Sequence, residues 1–136
     1  METKNLNGTL VLIRPDLEND PVKGQGKVAC IKYAPQQMEG LYVSFLNGQE
    51  AFYKPDELLQ LKDKHEVFKE LMENGINLDV KDFKALYKIC LLQDKGTGTA
   101  LVQALEIARD NPSVWPRTLV PLARQQNLAL DRSYSR

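Results

Sequence analysis

The chain has a single histidine and only two cysteines in 136 residues. That scarcity removes whole classes of chemistry. A Ser-His-Asp or Cys-His site would have to use His65. Its neighbours Lys64 and Glu66 fall on other faces of a helix, so no positioned partner for general-base work is in sight. Zinc asks for several Cys or His ligands, and Cys30, His65 and Cys90 are widely scattered. Both cysteines sit among apolar neighbours and are expected as buried free thiols. Cys90 falls on an apolar helix face, which makes it a poor nucleophile. No window approaches the roughly 20 apolar residues of a membrane span. The opening METKNLNGTL lacks an apolar run after its basic residue, so no signal peptide is expected and a cytoplasmic location is the default.

Excess charge is also missing. Eighteen Lys and Arg balance eighteen Asp and Glu. The halves balance too, with seven against eight over residues 1–62 and eleven against ten over 63–136. No global field steers the protein toward nucleic acid, membrane or acidic substrates. Only the end departs, with Arg117, Arg124, Arg132 and Arg136 against Asp131. There is no internal repeat, no low-complexity tract, and no phosphate-binding G-x-x-x-x-G-K-[ST] or G-x-G-x-x-G pattern. Lys95-Gly96-Thr97-Gly98-Thr99 reads as a helix stop followed by a helix start. The spacing of Asp16, Glu18 and Asp20 suggests calcium, but Pro21 and Lys27 stand where an EF-hand loop needs Gly and Glu. The expectation is therefore no catalysis, no cofactor and no metal, and an exposed acidic loop over Asp16 to Gly26.

What is present begins with period-two patterning. Thr9–Ile13, Lys27–Tyr33, Leu41–Phe45, Gln49–Tyr53 and Leu58–Leu61 read as five short strands. The continuous apolar run of the first predicts burial on both faces. In the second, Val28 and Cys30 share one face, and Ala29, Ile31 and Tyr33 the other. In the third, Leu41, Val43 and Phe45 point inward, Tyr42 and Ser44 outward. Asn47-Gly48 predicts a type I′ hairpin, and Lys54-Pro55-Asp56-Glu57 one tight turn.

Gly26-Lys27-Val28, Val43-x-Phe45-x-Asn47-Gly48, Tyr53 and Glu57-Leu58 carry a resemblance to the small Src-homology-3-like barrels of the Tudor, KOW and PWWP kind, over residues 8–62. The resemblance implies a five-stranded barrel that binds proteins, modified peptides, RNA or DNA. The first long loop here holds no aromatic residue, unlike the loop that contributes to a methyl-lysine cage.

After Lys62 the period changes to about 3.6. Asp63 with Glu66 starts a helix bearing Val67, Phe68, Leu71 and Met72, and Gly75 ends it in the left-handed conformation. Asp79 caps a second helix, Val80 to about Gln93, whose apolar face is Phe83, Leu86, Tyr87, Cys90 and Leu91. Thr97 or Thr99 caps a third, running to about Asp110 with Leu101, Val102, Leu105 and Ala108 on one side. A fourth helical piece is expected between Val114 and Gln126, with Pro116 in its first turn and Pro121 as a kink.

The expected fold class is α+β, with a barrel over 1–62 and a three- to four-helix bundle with a tail over 63–136. The expected function is a non-enzymatic protein-interaction module, its partner another protein. The candidate binding residues are Tyr42, Ser44, Phe52, Tyr53 and Trp115, with Trp115 read as a partner anchor or a plug at the barrel–helix junction. The alternative is nucleic-acid binding through the barrel aromatics with Lys23, Lys27, Lys32, Arg117 and Arg124.

Overall fold

The computed structural model describes residues 8–20, 22–33 and 40–122. The fold is mixed α+β. The strands are β1 (Leu10–Ile13), β2 (Val28–Tyr33), β3 (Leu41–Phe45), β4 (Glu50–Tyr53), β5 (Leu58–Leu61) and β6 (Leu119–Pro121). The helices are α1 (Lys64–Asn74), α2 (Val80–Lys95), α3 (Gly98–Asp110) and the one-turn α4 (Trp115–Thr118). Short 3-10 turns stand at Pro55–Glu57, Gly75–Asn77 and Pro112–Val114.

The sheet is open rather than a closed five-stranded barrel. Its order is β4-β3-β2-β1-β5-β6. A strand has two hydrogen-bonding edges. Both edges of β5 are taken, by β1 and β6, so β5 has none left to close the ladder onto β4. The sixth strand falls inside the segment expected to be helical. Helix α4 stops at Thr118, and Pro121 then lies in an outermost strand, where a missing N–H costs no ladder bond. Arg124 and the rest of the expected fourth helix and tail lie outside the described residues.

Two compact units make up the chain. The first takes the chain through Gln60 and again from Pro121; the second is Leu61–Val120. Pro121 and Leu122, expected with the helices, thus belong to the sheet unit. The reason is packing: Leu122 is fully buried in one cluster with Val11, Ile13, Ala29, Ile31, Leu41, Val43, Phe45, Tyr53 and Leu58. Alternation puts Leu12, Val28 and Leu59 on the other side of the sheet, where they too are buried. At the β3–β4 end of this other side Tyr42 and Phe52 stand exposed.

The loop before β2 is pinned rather than simply solvated. Asp20 is buried, and its carboxylate accepts from the N–H of Val22 and Gly24 and from the Tyr53 hydroxyl, at 3.0, 2.9 and 2.7 Å. The Asn47-Gly48 hairpin also differs from expectation. Only Gly48 has positive φ. Gly48 N–H donates to Phe45 O, and Phe45 N–H to Gln49 O. That is a type I turn closed by a left-handed glycine, a three-residue loop. The Asn47 side chain accepts from Gln49 N–H.

In the helical unit the caps follow the sequence. Asp63, Asp79 and Thr97 accept from the N–H groups of His65, Asp82 and Ala100, and Gly96 ends α2 in the left-handed conformation. Gly75 does not. Its φ is −59°, because the chain continues into a 3-10 turn, and its neighbours stand close. A Cβ there would stand 3.1 Å from the Phe83 ring and 3.3 Å from Leu71.

The buried faces are also rotated from those expected. Helix α2 buries Ala85, Leu86, Ile89, Leu92 and Gln93, and α3 buries Ala100, Ala104, Leu105 and Ala108. Phe83, Tyr87 and Leu91 stay exposed, and both cysteines are half-buried free thiols. Apolar residues cover more than half the girth of α2, so periodicity alone leaves its inward direction open.

Candidate binding site: an aromatic ladder on the sheet

Strand pairing places three rings side by side. The register sets Tyr42 opposite Phe52. The Phe45–Gln49 hydrogen bond fixes the alternation of the β3–β4 ladder, so Val43 and Ala51 form a hydrogen-bonded pair and Tyr42 and Phe52 a non-hydrogen-bonded one. Such pairs bring side chains closest, and the two ring centroids are 4.9 Å apart, tilted by 59°. Tyr33 joins at 6.4 Å from Tyr42.

Tyr33 reaches this face through a bulge. Ile31 pairs with Val43, but Tyr33 pairs with Tyr42. The extra residue, Lys32, turns the side chains after it over to the other face. Alternation put Tyr33 beside the core residues Ala29 and Ile31; it is instead 57% exposed. The sequence carries no plain signal for this bulge, and Tyr33 was missed for that reason.

The ladder is open to solvent, with Tyr42 46% and Phe52 52% exposed. The Phe52 ring lies over Gly40, where a Cβ would come within 2.0 Å of it. On the same face Lys32 and Glu50 pair at 3.9 Å, and Ser44 is half-buried with its hydroxyl 3.4 Å from its neighbour's carbonyl. Beside the ladder runs an edge. Strand β4 ends the sheet, and the alternation above points the N–H and C=O groups of Glu50 and Phe52 away from β3. Among the described residues no strand pairs on that side.

Other candidates lie elsewhere. Tyr53 is core, 4% exposed, edge-on to Phe45. Burial and the Asp20 carboxylate push its hydroxyl pKa well above the usual tyrosine value. Trp115 is half-buried in the helical unit, its Nε1 without a hydrogen-bond partner among the described residues. The basic residues proposed for nucleic acid do not converge. Lys27 stands 5.9 Å over the Phe45 ring, Lys32 is paired with Glu50, Arg117 is paired with Glu70 in the other unit, and Lys23 is exposed in the loop before β2 with a φ of 54°.

The site therefore offers π faces and main-chain hydrogen-bonding groups. Among the described residues no three His, Cys, Asp or Glu come together as a metal site, and no helix is long and apolar enough to cross a membrane. No protein-family model, curated protein or solved structure matches this chain.

Proposed function

We infer that this protein is a non-enzymatic, cytoplasmic interaction module that captures an extended peptide segment of another protein along β4. The segment adds as a strand to the β4 edge, and its alternate apolar side chains lie on Tyr33, Tyr42 and Phe52. The exposed three-ring ladder beside an unpaired edge carries this reading. Peptide main chain supplies affinity at such an edge, and the rings select apolar or aromatic side chains at every second position. The β1–β4 order, the 3-10 turn before β5 and the antiparallel β1–β5 pair support reading residues 8–62 as an Src-homology-3-like unit.

Selection of a random displayed-peptide library on the full chain tests the reading. Enriched peptides should carry aromatic or aliphatic residues in alternation. Binding should be lost in Tyr42→Ala with Phe52→Ala. It should also be lost in Glu50→Pro, which removes an edge donor but no bond to β3. If instead oligonucleotides bind at low salt and release steeply as salt rises, with no peptide selected, the protein is a nucleic-acid binder and this reading fails.

A further inference from the structure

The helical unit exposes a second apolar surface, unrelated to the sheet site. Helices α1 and α2 run antiparallel: Lys64 at the start of α1 pairs with Asp94 at the end of α2, and Gly75 after α1 lies against Phe83 near the start of α2. Their outer faces carry Phe68, Met72, Phe83, Tyr87 and Leu91, each 40–67% exposed, and Ile76 and Val80 extend the patch at 91% and 69%. Phe83 and Tyr87 stack nearly parallel, 11° apart, and make a flat plate. Taking about 200 Å² for a large apolar side chain, these exposures leave on the order of 800 Å² bare. That exceeds the largest patch of most monomers, about 300–600 Å², and is close to the roughly 800 Å² each partner gives to a stable interface.

The charges beside the patch say what fits it. Beyond Tyr87 and Leu91, α2 carries Lys81, Lys84, Lys88 and Lys95, all exposed and at spacings that keep them on one stripe. Beyond Met72, α1 carries exposed Lys69 and then, further round the helix, Glu66 and Glu73, exposed and two turns apart on one stripe. Glu70 is already held by Arg117. The patch is thus flanked by a basic stripe along one helix and, past Lys69, by two glutamates along the other.

A two-fold axis parallel to the helices lays α1 of one copy over α2 of the next. The Lys64–Asp94 pair sets the level of the two helices. At about 1.5 Å per residue, Glu66 then comes opposite Lys88 and Lys95, and Glu73 opposite Lys81 and Lys84. An isologous contact makes every such pairing twice. We propose that the α1–α2 face is the interface of a homodimer, closed by apolar contact at its centre and by these glutamate–lysine pairings at its rims.

Sedimentation equilibrium of the full chain tests this. The wild type should dimerise, more weakly at high salt, because the rim pairs are exposed and screened. Glu66→Lys with Glu73→Lys, and Lys84→Glu with Lys88→Glu, should each weaken the dimer by about tenfold or more, since each puts like charges opposite one another. These positions are exposed, and unchanged melting of the monomers will show intact folds. A mixture of the two double variants should form a heterodimer tighter than either homodimer. A wild type that stays monomeric at all concentrations overturns the proposal. So does a dimer indifferent to the reversals, or a mixture without heterodimers.

Discussion

Phe52 and Tyr53 are neighbours in β4 with opposite fates. Phe52 points out, half bare, its ring on Tyr42 and above Gly40. Tyr53 points in, nearly sealed, its ring edge-on to Phe45 and its hydroxyl on buried Asp20. The same contrast holds for two glycines. A Cβ on Gly24 would meet the Tyr53 hydroxyl at 2.5 Å and Phe45 at 2.7 Å; one on Gly40 would meet Phe52 at 2.0 Å. The inner rings have nowhere to go, whereas the outer ring can swing into water. The difference separates residues that hold the sheet unit together from residues left available for a partner.

Truncation should expose that difference most strongly. Tyr53→Ala should cost roughly 3–5 kcal/mol, as for a buried aromatic, with Asp20 losing a donor besides. Phe52→Ala should cost less than about 1 kcal/mol, since half of the ring is already in water. Urea unfolding of both variants measures the gap, and similar losses would dissolve the distinction between the faces.

The glycines come next. Gly24→Ala should destabilise by roughly 2 kcal/mol through overpacking. Gly40→Ala should cost well under that while displacing Phe52, so it should weaken peptide capture at nearly wild-type stability. Thermal melts and binding of a selected peptide, read together, check the pair.

Smaller is the hydroxyl's own contribution. Tyr53→Phe should lose about 1–2 kcal/mol, since it leaves a buried carboxylate short of one donor. It should also change the alkaline limb of stability. The folded pKa of Tyr53 is raised above the unfolded value of about 10. The stabilisation is therefore whole below about pH 10 and is lost as pH rises from there toward the folded value. Urea midpoints across alkaline pH should fall more steeply for the wild type than for Tyr53→Phe.

The smallest effect is the ring pair itself. A double-mutant cycle on Tyr42 and Phe52 should give about 0.5–1 kcal/mol of coupling, the usual worth of an aromatic pair beyond its buried area. A value of zero would mean that the rings are adjacent without supporting each other, and that the ladder is not a preformed surface.

Much of this was legible in the residues. Strand positions follow from alternation and turn residues. The caps at Asp63, Asp79 and Thr97 and the left-handed Gly96 follow from local hydrogen bonding and steric freedom, which need only a few neighbours in sequence. Tyr42 was readable as an outward candidate because period two in β3 leaves it opposite the inward set. Of Phe52 and Tyr53 the outward one was not separable, since an aromatic pair at the end of a strand has no polar neighbour to mark which one faces in.

Local chemistry by itself determined the mixed α+β class, the first five strands, the first three helices and the scarcity of histidine and cysteine. Tertiary structure decided the rest: the bulge at Lys32 that turns Tyr33 outward, the open sheet with β6 in place of a longer helix, the burial of Asp20, and the face of α2 that turns inward. These depend on partners outside the local segment, some of them tens of residues away, such as Asp20 with Tyr53 or Leu122 with Val11. Short-range propensity carries no record of which distant segment will supply the donor or fill the space.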